Sequence, residues 1–332
     1  VTGRDGRPVA RPVVIIEKSG QPYGWALGAR GHYELELPVG EYRLYATARN
    51  QSQTTATALS VTPGGRYRRD FRGLAAPGSV HFIVTEQASD QPLDARIGIC
   101  AGQQPLVEFL GSRTFFTQLE PRGHAELTLA PGLYTFCVSS GGGFTAREQQ
   151  AQLSIASGRT RSAHVILTRL FDPAAKGWYG ADLHHHADQA EAITPPADLA
   201  RSQLASGLDL LFVSDHDSLA NLPSLRQIAA RRGVPFIPGI ELSPSWGHFN
   251  AYPIDAGQSL SIDTGTASVQ AIFAEARRLG ASVVQVNHPL IPYGYFTSVT
   301  SGQAPGGFDA GFDLIEINAT ESDTDAAVLK RV

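Results

Sequence analysis

The sequence has no methionine, not even at position 1, and only two cysteines, Cys100 and Cys137. It therefore does not show a natural start, and any signal peptide would lie outside it, which leaves localisation open, periplasm and secretion included. Two cysteines are too few for a disulfide framework, and a buried free pair and a disulfide are equally compatible with them. No apolar run approaches the ~20 residues of a membrane span.

A surplus of positive charge is also missing. The 332 residues include 27 Lys and Arg against 31 Asp and Glu, a net charge of -4. Such a balance offers no basic surface for a phosphate backbone, so we expect a small-molecule substrate and no nucleic acid. Nothing in the composition indicates an oligomeric state.

The first half of the chain is an internal repeat. RGHYELELPVGEYRLY at 30–45 returns as RGHAELTLAPGLYTFC at 122–137, with apolar and polar residues alternating and Gly or Pro at the breaks. This pattern predicts two antiparallel β-sandwich modules, at 1–75 and 76–170. The repeated His32 and His124 are expected to be structural or exposed. The first copy resembles the carboxypeptidase regulatory-like or transthyretin-like β-sandwich family, which implies no chemistry.

The second half, 171–332, has a different periodicity. Apolar runs alternate with helical stretches that end near Gly207, Gly233 and Gly280, an order typical of repeated βα units on a mostly parallel sheet. The runs are GLDLLFVSD (207–215), VPFIPGIEL (234–242), ASVVQVNH (281–288) and FDLIEINA (312–319). GWYGADLHHH (177–186) is predicted to be the first strand of this α/β domain.

Histidines and carboxylates gather at the ends of these predicted strands, where the active sites of α/β folds lie. On an extended strand His184 and His186 share one face, and His185 points to the other. Each such feature alone is common in structural positions, but together they indicate a centre for divalent metals. The predicted ligands are His184, His186, Glu191, His216, Glu241, His248 and His288.

The motifs resemble, in order and spacing, those of the PHP (polymerase and histidinol phosphatase) superfamily, and most closely its CehA/McbA-type metallohydrolases. They are DLHHHAD (182–188), VSDHDS (213–218), PGIELS (238–243), GHFNAYP (247–253), VNHPL (286–290) and IEINAT (315–320). The resemblance implies a distorted (β/α) barrel holding two or three divalent ions of zinc, manganese or iron. By carry-over, His184 and His186 hold the first ion, Glu241 bridges, His248 and His288 hold the second, and His216 and Glu191 belong to a third.

The reaction implied is hydrolysis of an ester-type bond by a metal-bridging hydroxide. Glu241, Asp182 and Asp215 are the predicted catalytic residues, the two aspartates by orienting ligands. A carbamate or carboxylic ester is slightly favoured over a phosphoester. A phosphoesterase and a non-catalytic binding or scaffold protein with a vestigial PHP domain are the alternatives. The predicted substrate pocket comprises Trp246, Tyr252, Asn287, Tyr293 and Tyr295.

One family feature is missing. Members normally finish with a Gly-Ser-Asp-x-His-type strand that completes the first and third metal sites, and none follows Glu316. The sequence instead stops in a helix-like stretch, SDTDAAVLKRV (322–332). We therefore expect a fragment of a longer protein, with an α/β domain incomplete at its C-terminus.

Overall fold

The computed structural model describes residues 1–142 and 146–317, so the predicted helix-like stretch at 322–332 lies outside the described residues. The chain divides into two compact units, Val1–Phe171 and a second from Asp172 onward. None of the helices in the described part of the chain is long and apolar enough to cross a membrane. The division of the first unit into modules at 1–75 and 76–170 stays a prediction.

The first four strands form one antiparallel sheet in the order β2-β1-β3-β4, where a two-sheet sandwich was expected. Both faces of β1 are buried: Val14 and Ile16 pack into one core cluster, and Val13 and Ile15 pack against Leu110 on the other face. The strands are β1 (Val13–Lys18), β2 (Gln21–Leu27), β3 (Gly40–Thr47) and β4 (Thr57–Val61).

The next seven strands form two sheets, β10-β9-β6-β7 and β11-β5-β8, which share a core that includes Phe82 and Phe136. β5 and β11 run parallel, contrary to the expected antiparallel pairing. A disulfide joins Cys100 to Cys137 across the β6-β9 pair, with 5.8 Å between the Cα atoms. The strands are β5 (Gly78–Glu86), β6 (Arg96–Ala101), β7 (Thr114–Phe116), β8 (His124–Leu129), β9 (Gly132–Ser139), β10 (Gln149–Ile155) and β11 (Thr160–Leu167).

The second unit mixes helices and strands as the periodicity predicted. α1 begins with Pro at its first turn, α2 ends at Gly233 in a left-handed conformation, and α3 buries Ile272 and Phe273 on one face. The helices are α1 (Pro196–Ala205), α2 (Leu222–Arg232), α3 (Val269–Arg278) and α4 (Tyr295–Thr300). Two short 3-10 helices cover Glu108–Leu110 and Ala174–Lys176.

The prediction of a mostly parallel sheet is wrong. β12 and β13 pair in parallel, but the other sheet, β14-β15-β16-β17, is antiparallel except for its last pair. Only five residues, 243–247, connect β14 to β15, and so short a link permits only an antiparallel neighbour. The strands are β12 (Leu211–Val213), β13 (Phe236–Pro238), β14 (Ile240–Leu242), β15 (His248–Tyr252), β16 (Val283–Asn287) and β17 (Leu314–Ile315).

The stretch 177–186, predicted to be the first strand, contains no assigned strand. It runs beside β12 and makes isolated bonds, from the Asp209 amide to the Gly180 carbonyl at 2.9 Å and from the Ser214 amide to the His185 carbonyl at 2.7 Å. The stretch is thus held at two points without a continuous ladder, and the second point is at His185, between His184 and His186.

Candidate metal centre

A single buried carboxylate, Glu241 on β14, lies at the middle of the histidine cluster. Its two oxygens are approached by ring nitrogens of five histidines. Oε1 lies 3.3 Å from His184 Nε2, 3.3 Å from His248 Nδ1 and 3.6 Å from His288 Nε2. Oε2 lies 3.3 Å from His186 Nε2 and 3.1 Å from His216 Nδ1.

The main chain places two of these residues, His216 and Glu241, side by side. His216 and Glu241 form a parallel bridge: the Glu241 amide donates to the Asp215 carbonyl at 3.1 Å, and the Asp217 amide donates to the Glu241 carbonyl at 2.9 Å. Gly239 permits this close approach, because a Cβ there would lie 2.8 Å from the Val213 carbonyl oxygen. Strand pairing thus sets the spacing of the cluster.

His248 and His288 lie in or directly after strands of the same sheet as Glu241. His248 opens β15 and pairs in register with Asn287, the last residue of β16. His288 follows with a φ of 26°, a left-handed conformation that non-glycine residues adopt at a cost. The turn after β16 therefore keeps His288 at the cluster against a conformational preference.

Two sets of ligand atoms could each hold a metal ion, with all atoms of a set within 4.8 Å of one another. One set is His184, His186 and Glu241, and the other is His216, Glu241 and His248. Glu241 belongs to both, which is the place of a bridging ligand. His216 thus lies with His248, whereas the family resemblance implied a third site for it. The ring of His288 lies beside those of His184 and His248, at centroid distances of 5.6 and 5.0 Å.

Unpartnered polar atoms test whether this set fits a metal. Within the described residues, four buried atoms of the cluster make no hydrogen bond: His186 Nδ1, Glu241 Oε2, His248 Nδ1 and His288 Nδ1. Buried nitrogens and oxygens normally have partners, since leaving one without costs about 1–3 kcal/mol. Imidazole nitrogens with a carboxylate are suitable donors for zinc, manganese or iron. The residues present therefore fit a divalent transition-metal ion.

The charges of the cluster favour an anionic Glu241. Burial alone would raise the pKa of its carboxyl, but the ring nitrogens of His184, His248 and His288 that face it hold that pKa well below its usual range. Burial also opposes a charged His184, but the Glu241 and Glu316 carboxylates raise its pKa to about 10. Burial lowers the pKa of His186, which favours the neutral imidazole that a metal requires.

Glu316, directly after β17, was not among the predicted site residues although it lies in the quoted IEINAT motif. Its Oε1 lies 3.0 Å from His184 Nδ1, and its Oε2 accepts from the His288 backbone amide at 2.6 Å. One carboxylate thus contacts two residues of the cluster. The only sequence signal was a single Glu in an apolar run, which is also common in structural roles.

Asn287 was predicted to line the substrate pocket, but it is fully buried. Its Nδ2 donates to Glu241 Oε1 at 2.7 Å, and its Oδ1 accepts from Gln285 Nε2 at 2.9 Å. Asn287 therefore fixes the orientation of the central carboxylate.

Three aromatic residues predicted for the pocket are core residues: Trp246 and Tyr252 are 5% exposed and Tyr295 is 0% exposed. The Tyr252 hydroxyl donates to Gln285 Oε1 at 3.0 Å, and Tyr295 packs against Trp246 at a ring-centroid distance of 6.2 Å. Only Tyr293 is accessible, with 50% of its surface exposed and its ring 5.6 Å from His248. A substrate contact at Tyr293 stays a prediction.

The predicted catalytic aspartates hold the loop that carries His184 and His186. Asp182 accepts from the His184 amide at 3.1 Å, and Asp215 accepts from the Ala187 amide at 2.6 Å. His185 turns away from the cluster, with Nδ1 2.9 Å from Gln203 Nε2.

Glu191 lies at the rim of the cluster. Its side chain is 74% exposed, and Oε1 is 2.8 Å from His216 Nε2. Both nitrogens of His216 thus face carboxylates, Glu191 outside and Glu241 inside. A role for Glu191 as a ligand at a third site stays a prediction.

Known proteins with similar sequences match this chain over only part of its length. No family model matches the chain. It is 31% identical over 106 residues to a 3',5'-nucleoside bisphosphate phosphatase of Chromobacterium violaceum, covering 31% of this chain and 37% of the phosphatase. It is also 31% identical over 65 residues to a 5'-3' exoribonuclease of Haemophilus influenzae, covering 20% of this chain and 24% of that enzyme. The chain thus spans about a third or less of these relatives.

Solved structures include a two-domain protein of Bacteroides vulgatus that contains a predicted PHP-like metal-dependent phosphoesterase, at 20% identity, covering 37% of this chain and 41% of that one, with a TM-score of 0.31. An amidohydrolase of Chromobacterium violaceum is 19% identical over 44% of this chain and 80% of its own, with a TM-score of 0.33. The sequence relatives are named as a phosphatase and an exoribonuclease, and membership of the PHP superfamily stays a prediction from the motifs. The narrower CehA/McbA placement and the β-sandwich family gain no support from these comparisons.

Proposed function

We propose that this protein is a metal-dependent hydrolase that cleaves a phosphoester bond at the Glu241 cluster. The observation that carries the proposal is the convergence of five imidazoles on one buried carboxylate, with four buried atoms left unpartnered. A structural core would satisfy such atoms with hydrogen bonds.

The chain's own residues would position the ions and keep the carboxylate charged. His184, His186, His216, His248, Glu241 and His288 are the residues that would hold two divalent ions. Such ions, when bound, lower the pKa of water and polarise a phosphoryl oxygen. Asn287 keeps Glu241 oriented by its bond to Oε1 at 2.7 Å. A cysteine nucleophile plays no part, since Cys100 and Cys137 form a disulfide in the first unit.

The choice of a phosphoester reverses the order favoured by the sequence, which put a carbamate or carboxylic ester slightly ahead. The support comes from the relatives, whose names describe a bisphosphate phosphatase and an exoribonuclease. The exoribonuclease also reopens short RNA as a substrate, although the net charge of -4 offers no basic surplus. A CehA/McbA-type carbamate hydrolase remains the second candidate, on motif resemblance alone.

The test measures metal content and bond preference together. The purified protein, reconstituted in turn with zinc, manganese and iron(II), is analysed for bound metal by mass spectrometry. It is then assayed with p-nitrophenyl phosphate, adenosine 3',5'-bisphosphate, a 5'-phosphorylated oligoribonucleotide, p-nitrophenyl acetate and 1-naphthyl methylcarbamate. We expect about two ions per chain and phosphate release from a phosphoester.

Glu241→Gln should remove at least one ion per chain and abolish hydrolysis, whereas the matched variant Glu126→Gln, at an exposed position in the first unit, should change neither. Turnover of the carbamate with no phosphoester hydrolysis would replace the proposal by the second candidate. A folded protein that binds no ion under any of the three conditions would contradict a metal-dependent reaction altogether.

A further inference from the structure

The first unit contains a cavity that plays no part in the proposed function. Its volume is about 250 Å³. One wall comes from the end of β3 and the segment that follows it, with Tyr45, Asn50 and Gln51, and the other from the loop after β6, with Gln103 and Leu106. Two segments of the first unit that are far apart in the sequence therefore enclose this site together.

The lining is rich in carboxamides and carries no charge. Asn50, Gln51, Gln53, Gln103 and Gln104 all face the cavity, and no Asp, Glu, Lys, Arg or His is among the residues that line it. An ionic ligand would lose its hydration there without gaining an opposite charge, which is costly. We therefore expect a neutral ligand in this cavity.

Most of these amides are available to a ligand. Gln104 Nε2 donates to the Ile99 carbonyl at 2.9 Å. The other four side chains have no hydrogen-bond partner within the part of the chain that the structure describes. Each primary amide offers two donors and one acceptor, and a hydroxyl group both donates and accepts. Several free amides around a small space therefore match a molecule with several hydroxyl groups.

An apolar surface completes the lining. Ile15, Leu106, Leu110 and the ring of Tyr45 face the same cavity. Trp25, which is opposite Ile15 in the β1-β2 pair and so on the same face of the sheet, is 68% exposed. Aromatic and aliphatic surface beside amides suits a ring that has C–H groups on its faces and hydroxyl groups at its edge.

Internal hydrogen bonds fix the loop that forms the second wall. Arg113 donates to the carbonyls of Pro105 at 2.9 Å and Leu106 at 3.2 Å. The backbone N–H of Asn50 donates to the Leu110 carbonyl at 2.8 Å, and this bond ties the two walls together. A wall held in this way loses little conformational freedom when a ligand enters.

We propose that this cavity binds a neutral carbohydrate through one sugar ring. Its volume is below the ~300–1,000 Å³ of pockets for drug-sized ligands, which limits the bound part to about one ring. The site lies wholly within the first unit, so it is independent of the metal centre and of the hydrolase proposal.

The test uses the whole chain on an array of neutral, sialylated and sulfated glycans, followed by isothermal titration with the neutral glycan that gives the strongest signal. We expect binding of a neutral glycan that is weakened about tenfold by Gln103→Ala and by Gln51→Ala, as the loss of one or two hydrogen bonds implies. Gln152→Ala, an exposed glutamine on β10 outside the cavity, is the matched control and should leave the affinity unchanged.

Three results would overturn the proposal: no binding of any neutral glycan by the folded protein, a preference for charged glycans, or equal affinity of the cavity variants and wild type. Because the side chains of Gln51 and Gln103 make no hydrogen bond within the described residues, the variants should fold, and circular dichroism checks this. Removal of metal with a chelator should leave glycan binding intact, which separates this site from the metal centre.

Discussion

The two units use histidine in opposite ways. In the first, His81 Nε2 lies 2.9 Å from His124 Nδ1, and His164 Nε2 lies 2.9 Å from Thr85 Oγ1. In the second, five imidazoles surround Glu241, and buried ring nitrogens are left without a partner. Within the described residues, no group of three possible ligands includes a histidine of the first unit.

The difference lies in what the rings contact rather than in how many there are. A histidine pair on a sheet can satisfy itself when one ring donates and the other accepts. Five rings that share one carboxylate cannot all form such hydrogen bonds, and a bound cation would give the remaining nitrogens a partner. A buried carboxylate with unpartnered imidazoles is therefore a better sign of a metal centre than a dense run of histidines in the sequence.

The strongest way to break this contrast is to remove the carboxylate. Glu241→Gln keeps the shape but removes the charge shared by both ligand sets, so we expect the loss of at least one ion per chain. Elemental analysis of the reconstituted variant measures this, and circular dichroism verifies the fold. Full metal content in the variant would mean that Glu241 is not a shared ligand.

The contrast is sharpened by a substitution one contact further out. One oxygen of Glu316 accepts from the His288 backbone N–H, and the other faces His184 Nδ1. In Glu316→Gln the NH2 group replaces one of these oxygens, so a donor then faces either the His288 N–H or His184 Nδ1. We expect metal affinity to fall about 10–100-fold, as for other groups that orient ligands. Competition with a fluorescent chelator gives the affinity.

Asp313→Asn is the control for Glu316. Asp313 also anchors this edge, by accepting from the Val284 amide at 2.7 Å, but it contacts no histidine in the described residues. Equal losses of metal affinity in both variants would show that docking of the strand matters and that the contacts of Glu316 do not.

The disulfide belongs to the other side of the comparison. The Cys100–Cys137 bond closes 37 residues of chain in the first unit. Replacing both cysteines by serine should lower the free energy of unfolding of that unit by about 2–5 kcal/mol. Denaturant unfolding measures the loss, and metal content should stay at the wild-type value. A drop in bound metal would contradict the independence of the two units.

The smallest effect on stability is expected at the His81–His124 pair, whose two rings hydrogen-bond each other. His81→Ala leaves His124 without its partner at a half-buried position, which should cost no more than about 1 kcal/mol of stability. Bound metal, measured as before, should not change. If an ion were lost, the first unit would hold a metal site of its own.

The sequence carried enough information to locate most of the cluster, because polar residues that follow apolar strands come together at one edge of a sheet. His216, Glu241 and His288 are predictable in this way, and His184 and His186 follow from their spacing. Asn287 and Glu316 were misjudged, since their roles depend on which atom each side chain faces across the sheet.

Topology and burial were harder to predict. The five-residue link before His248 sets the direction of β15, and the periodicity of the sequence does not show this, so the mixed sheet was not predicted. Trp246, Tyr252 and Tyr295 come from loops or short elements whose periodicity does not separate an inward from an outward ring. The burial of these three residues was therefore not predicted.

The backbone bridge between His216 and Glu241 also bears on how the centre is filled. Two ligands fixed by main-chain bonds are already in place before an ion arrives, so ion binding has little chain entropy to overcome. Loading would then be separate from folding, unlike in small zinc domains that are unfolded without their metal. A chelator would empty the site while the second unit kept its fold, and a different ion could enter the same frame.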